Sequence, residues 1–507
     1  MFQIISPNEA AQWIQDGDFV AINSFLKLAN PEALHNAIAE RFERTGHPRD
    51  LTLFGTSGLG GWDEDRYADR YAKAGAVRRV IASHFSSMPA ISKMVQQGEI
   101  EAYCMPLGVL SHCVRAAASR QPWLMSKVGL NLFVDPLLQG PGINERSREP
   151  WVRRMEVEGE PYLRYQTPPI DVALIKGTAV DPNGNITFHD EYVTLDALSL
   201  CVDTKARGGK VIVQVDRLSH LFDRPRNVII PGILVDGVVV CEPTEEETHP
   251  QIMTGGIHVP GSHMDYWMGK VSLSGKRHGK EPDVVQQRIG RRAAEELRSG
   301  DVVNIGIGIP EMVGKSAASR GILRDIVLTV EAGGIGGLPT PGLSFGAMIG
   351  ADFICDMAYQ FDLYDGGGLS ICFLGALEID RQGNVNAHAL PGRFVGIGGF
   401  ANITHATRRV VFCATLTTDG LKAAESGDRL EIVQEGKVRK FRERVHAVSF
   451  SAQNALERHQ EVLYVTERCV FRLSPKGLVL TEVAKGIDVR SQVLDLLDFP
   501  VEVALER

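Results

Sequence analysis

The sequence has 507 residues, 44% of them hydrophobic and 23% charged. That balance supplies enough apolar surface to offset the ordering entropy of the chain and excludes a disordered or fibrous protein, and the length exceeds what one hydrophobic core supports, so at least two folded units are expected. With 54 basic against 62 acidic residues the net charge is −8, which gives no general attraction to nucleic acid or anionic membranes and leaves any anionic ligand to be held locally.

Along the chain, Glu9 to Asp16 reads as a helix ending at Gly17, followed by Asp18 and the buried strand Phe19-Val-Ala-Ile22. A helix over Pro31 to Arg44 comes next, then a short apolar strand running into the glycine-rich stretch Gly55-Thr-Ser-Gly-Leu-Gly-Gly61. An apolar strand recurs at Val211-Ile-Val-Gln-Val215, and the longest apolar stretch is Val228 to Cys241. The latter is broken by Pro231, Gly232, Asp236 and Gly237, and no run reaches the length of a membrane span. Eight cysteines lie scattered without a Cys-x-x-Cys pair and read as reduced thiols, and the first residues lack an export signal, so a cytoplasmic protein is expected.

The same order then repeats. A helix over Pro282 to Ser299 with an arginine-rich outer face, expected to be solvated or used in subunit packing, ends at Gly300. Asp301 follows, then the strand Val302-Val-Asn-Ile305, a helix over Pro310 to Arg320, and the strand Ile326-Val-Leu-Thr-Val330 running into glycines. Asp181-Pro-Asn-Gly-Asn185 matches Asp380-Arg-Gln-Gly-Asn384, each 30 residues ahead of a strand. These landmarks predict an internal duplication, two tandem related open-sheet α/β domains, the first enlarged by about 76 residues. The boundaries expected are 1–241, a polar link at 242–281 that includes the basic cluster Lys276 to Lys280, and 282–507.

In the aligned glycine loops Gly55-Thr56 of the first half faces Glu331 of the second. A carboxylate at the carboxyl end of a buried strand lies where open α/β sheets bind ligands, and the glycines after it predict close approach and free N–H groups for an oxyanion. Three readings are open: an ion-paired or capping glutamate, a ribose-binding acid of a dinucleotide fold, or a nucleophile toward an activated acyl group. The second is weakened because Gly306-Ile-Gly308-Ile-Pro-Glu311 puts an acid where a pyrophosphate would sit. Asp190-Glu191 and Asp362/Asp365 show no metal-ligand spacing with histidines and read as loop or cap carboxylates, so no metal is expected.

Several long segments in order carry a resemblance. They are Val303 to Pro310, Leu328 to Gly337, Tyr359 to Gly368, Gly383 to Asn386 and Val395-Gly-Ile-Gly-Gly-Phe-Ala-Asn402, with Ile100 to Tyr103, Phe133 to Pro136 and Asp190-Glu191 in the first half. The chain resembles the family I coenzyme A transferases of the long single-chain acetate/propionate or 3-oxoacid type. The resemblance implies that Glu331 is the catalytic glutamate, attacking an acyl-CoA and passing through a glutamyl-CoA thioester, and that Gly396, Gly398 and Gly399 form an oxyanion and CoA-binding loop. It further implies acyl-CoA and a carboxylic acid as substrates, CoA as substrate rather than cofactor, no metal or ATP, a place in short-chain fatty acid or ketone body metabolism, and a homo-oligomer, dimer or tetramer.

Three positions depart from that pattern. Leu107 stands where relatives carry a glutamine of the oxyanion hole, Asn23-Ser24-Phe25-Leu26 replaces a glycine-rich loop, and Met348 replaces an asparagine. Asn23, Ser24, Phe25, Leu107 and Met348 are therefore expected around an enlarged, apolar acyl pocket, with Asn23 or Ser24 as a substitute donor. A transferase for a bulkier acyl group, a CoA-ester hydrolase using Glu331 as base, and a non-enzymatic CoA-ester-binding protein remain the alternatives.

Overall fold

The computed structural model describes residues 2–62, 65–241, 283–340 and 345–505. The expected link at 242–281 lies outside them.

Each half is built on a twisted open sheet. In the first, parallel strands follow the order Gln3–Ile4, Gly237–Val240, Lys210–Leu218, Val172–Val180, Phe19–Ile22, Leu51–Phe54, Val77–Ala82 and Glu101–Cys104. In the second, Val327–Thr329, Val302–Ile305, Ile371–Gly375, Arg409–Cys413 and Glu461–Val465 form the parallel centre, and antiparallel strands extend both sides. Val172–Val180 is buried at all nine positions and Arg409–Cys413 at all five, the unbroken pattern of parallel strands covered on both faces.

The register carries the duplication. Phe19 faces Thr52 as Val302 faces Val327, which sets Thr56 opposite Glu331 in the alignment of halves. The two aspartate turns bond identically. Oδ1 of Asp181 accepts from the Asn183 and Asn185 N–H groups at 2.8 and 2.9 Å, and Oδ1 of Asp380 from Gln382 and Asn384 at 3.0 and 2.9 Å. Gly184 and Gly383 close these turns at φ +82° and +93°.

Helix ends differ from expectation. The first helix is Pro7–Gln12 and its counterpart Val284–Ala293, so both stop well before Gly17 and Gly300. Those glycines instead sit in turns closed by the next residue, where the Asp18 and Asp301 carboxylates accept from the Gln15 and Arg298 N–H groups, both at 2.7 Å. The arginines of Val284–Ala293 are paired within the half: Arg288 and Arg291 with Glu425, Arg292 with Glu482.

The extra residues of the first half include two strands at one edge of its sheet, Val77–Ala82 and Glu101–Cys104, and a small sheet of Trp123–Ser126, Val152–Val157 and Glu160–Gln166. Helix Leu107–Ala118 packs on Ala197–Ala206, as Met357–Asp365 packs on Phe400–Ala406, and the two pairs meet. Asp362, read from sequence as a loop or cap acid, holds Arg115 through two bonds of 2.7 and 2.8 Å across that junction. Gly108 has no room for a side chain, because a β-carbon there would stand 2.4 Å from the Phe361 ring.

Candidate active site

Glu331 lies two residues past the end of the strand Val327–Thr329 and lines a cavity of about 420 Å³ between the halves. It is 8% exposed. Burial raises its carboxyl to about 7, opposed by a hydrogen bond from the Gly399 backbone.

The glycines after Glu331 do not present the free N–H groups expected of them. Gly333 N–H donates to Val330 O at 3.2 Å, Gly336 to Leu328 O at 2.9 Å and Gly337 to the Met348 sulfur at 3.3 Å. They are glycines because the chain behind is too close. A β-carbon at 333 would lie 2.1 Å from Cys355 O, and at 336 would lie 2.2 Å from the Asp352 carboxylate.

The loop 395–399 reaches Glu331 from the second half while being held by the first. Phe85 and Ser86 N–H groups donate to Val395 O at 2.8 and 3.0 Å, Gly398 N–H to Ser83 O at 2.9 Å, and Leu107 N–H to Gly398 O at 2.9 Å. Gly396 N–H is directed at His388 O at 3.2 Å. Of the three glycines, the amides of Gly396 and Gly398 thus hold the loop in place and Gly399 is the one that meets the Glu331 carboxylate. A β-carbon at 396 would touch His84 Cα at 2.6 Å, and one at 399 would touch Glu331 Cδ at 2.6 Å.

The cavity wall is apolar and aromatic, with Phe25, Trp62, Leu107, Phe345, Leu374 and Phe400. Phe25 and Leu107 stand where the departures from the family pattern put them. Asn23, Ser24 and Met348 do not line the cavity. Asn23 is committed to the 194–196 turn, its amide donating to Thr194 O at 3.2 Å and its oxygen accepting from Asp196 N–H at 3.1 Å. Ser24 is buried with its hydroxyl unpaired among the described residues, and Met348 packs under the 333–337 loop.

Ser57, Trp62, His84 and Ser86 also line the cavity, and sequence reasoning missed them. The first-half glycine stretch, the counterpart of the loop after Glu331, contains Ser57 and ends beside Trp62, and was the signal that could have found these two. His84 and Ser86 reach the site because residues 83–86 bond to the loop 395–399, a pairing no local pattern announces. Gly306, Ile307, Ile309 and Pro310 form the mouth, where Ile307 is exposed. Glu311 Oε1 accepts from Gly308 N–H at 3.2 Å and occupies the helix start that a pyrophosphate would need.

No group of three or more His, Cys, Asp or Glu among the described residues could hold a metal ion. No helix among them is long and apolar enough to cross a membrane.

The family model for coenzyme A transferase matches residues 4–241 and 286–489, in both halves. The chain belongs to the coenzyme A transferase family. Within it, the chain is 36% identical over 505 residues to acetate CoA-transferase YdiF of Escherichia coli, covering 99% of this chain and 93% of that protein. It is 37% identical over 519 residues to caffeate CoA-transferase of Acetobacterium woodii, covering 100% of this chain and 96% of that one. The crystal structure of the Escherichia coli acyl-CoA transferase YdiF as a thioester complex with CoA superposes with a TM-score of 0.87 at 34% identity, covering 100% of this chain and 95% of that one.

Proposed function

We propose that this coenzyme A transferase is an acyl-CoA:carboxylate CoA-transferase that works through a glutamyl-CoA thioester on Glu331 and takes an acyl group bulkier or more apolar than acetate. The observation that carries the reading is a single buried carboxylate, met by the Gly399 N–H, in a cavity walled by Phe25, Trp62, Phe345 and Phe400.

The chemistry balances without an added cofactor. The Glu331 carboxylate attacks the thioester carbonyl of the donor, and the oxyanion collapses to a mixed anhydride with departure of CoA thiolate. The thiolate returns to the Glu331 carbonyl, forming glutamyl-CoA and releasing the donor acid. An acceptor carboxylate then runs the sequence in reverse. Thioester energy is kept in the covalent intermediate, and the protein's tasks are to exclude water and stabilise oxyanions. An aromatic wall does the first. It also fits a large apolar acyl group, in keeping with the relative named caffeate CoA-transferase.

Leu107 supports one competing reading, hydrolysis with Glu331 as general base, because leucine cannot donate to an oxyanion. Incubation with acyl-CoA followed by borohydride, with peptide mass analysis, separates the two. Reduction of Glu331 is expected. Turnover that needs no acceptor acid and leaves Glu331 unmodified would mean hydrolysis.

A further inference from the structure

Besides Glu331, the cavity wall carries the polar residues Ser57, His84 and Ser86. His84 Nε2 and Ser86 Oγ, both on the wall, lie 3.3 Å apart, long for such a pair, and the Trp62 ring meets the imidazole edge-on at 6.0 Å. His84 Nδ1 is buried with no hydrogen-bond partner among the described residues. That nitrogen is packed against Gly58, where a β-carbon would stand 3.2 Å from it, so a ligand would meet the imidazole at Nε2, whose 3.3 Å contact with Ser86 is weak enough for a closer partner to improve on.

The loop that touches Glu331 at Gly399 touches His84 at Gly396. Three residues of chain span at most about 10 Å, which bounds the separation of these two contact points along the loop. Among the described residues lining the cavity none is lysine or arginine. Burial lowers the His84 imidazole to about 4, so it stands neutral near physiological pH. A second carboxylate in this space would meet no cation and would be repelled by Glu331.

Resting on the transferase reading, we infer that His84 and Ser86 select acyl groups whose far end carries an uncharged hydrogen-bonding substituent, a hydroxyl or carbonyl, and reject dicarboxylic ones. The acyl carbonyl sits at Glu331, the carbon skeleton lies along Phe25, Leu107 and Phe345, and the distal oxygen bonds the imidazole and serine hydroxyl beside Trp62.

The test uses three donors of equal skeleton: hexanoyl-CoA, ω-hydroxyhexanoyl-CoA and adipoyl-CoA. Their kcat/KM values are compared in wild type, His84→Phe and His84→Gln, with folding checked by thermal melting. Wild type is expected to prefer the hydroxylated donor over hexanoyl-CoA by about ten- to a hundredfold, with adipoyl-CoA the poorest. In His84→Phe that ratio falls to near one, and His84→Gln keeps part of it. A wild-type ratio near one, or an unchanged ratio in His84→Phe, overturns the inference. So does a loss in His84→Phe that is equal for all three donors. The same ratios are read as Kd values of the three acyl-CoAs on Glu331→Gln protein. Failure of the transferase chemistry then shows as absent turnover with the affinity ratio intact, and failure of the selectivity shows as a flat affinity ratio.

Discussion

A β-carbon at position 399 would stand 2.6 Å from both Cδ and Oε2 of Glu331. The carboxylate therefore lies against bare backbone, and the Gly399 N–H bonds it because position 399 lacks a side chain. Gly399→Ala is expected to displace the Glu331 carboxylate and lower kcat/KM about a hundredfold, the usual scale for misplacing a reacting group by an ångström. Position 399 has φ −82°, which alanine adopts without strain, so the melting temperature should change little. Steady-state kinetics beside a thermal melt checks both. An alanine variant of near wild-type activity would remove Gly399 from the site.

The carboxyl of Glu331, raised to about 7 by burial, must be ionised to attack. The acid limb of kcat/KM is expected to rise through about pH 7. Stability moves the opposite way. The folded carboxyl holds its proton above the unfolded value, so the folded state binds more protons between about pH 4.5 and 7 and the burial penalty grows as pH rises through that window. Glu331→Gln should thus be more stable than wild type at pH 8, by an amount on the order of 3 kcal/mol, and nearly equal to it at pH 4.5. Asp365 and Asp196, also raised by burial, are common to both proteins and cancel in the difference. Denaturant titrations at several pH values give the difference, and one that does not grow with pH would contradict the assignment.

The duplication and the strand that delivers Glu331 were readable in the sequence, because each depends on a few residues repeated at fixed spacing, whereas the loop that meets Glu331 was pointed to only by the resemblance to a family. Asp181 and Asp380 announce the same turn because one carboxylate serves several donors at set offsets. The contents of the cavity were less legible. Phe25 and Leu107 were found by their departure from a family pattern, but Asn23 and Met348, chosen the same way, are engaged elsewhere by contacts 171 and 11 residues distant in sequence. His84 could not be found at all, because only the three-dimensional pairing of residues 83–86 with 395–398 carries it to the site. The glycines after Glu331 were identified but their reason was not, since crowding by Asp352 and Cys355 depends on a later strand.

Leu107 fills the wall at 1% exposure and its backbone N–H holds Gly398 O at 2.9 Å, a bond that any residue at this position except proline can make. Leu107→Gln therefore adds an amide donor to the cavity without altering how the loop is held. Restoring a lost oxyanion donor is worth up to about a hundredfold or more in rate. The expected outcome is a rise of at least about tenfold in kcat/KM with acetyl-CoA relative to hexanoyl-CoA, because a short acyl group leaves space for the amide and a long one competes with it. A uniform fall for both donors would mean that the leucine serves packing alone.

Asn402 clasps the two halves just beyond the reacting loop. Its Oδ1 accepts from Gly108 N–H at 3.1 Å, and its Nδ2 donates to both Asp365 oxygens at 3.0 Å. The helix that carries it, Phe400–Ala406, begins directly after Gly399, so the clasp fixes the N–H that meets Glu331. Asn402→Asp keeps the acceptor for Gly108 and loses the donor to Asp365, placing two carboxyl groups together in a buried site. Burial already raises Asp365 to about 7, and the second carboxyl should raise it further. A loss of about 2–4 kcal/mol of stability is expected at pH 8, less at pH 6 where the pair can share a proton, with a parallel fall in kcat. Adding Asp365→Asn reverses the polarity of the clasp: the amide introduced at position 365 then donates to the carboxylate introduced at position 402, which still accepts from Gly108. The double variant should recover most of the stability and most of the kcat. Unfolding titrations and steady-state rates on the two variants measure this, and a double variant no better than Asn402→Asp would show that Asn402 does not position the loop through Asp365.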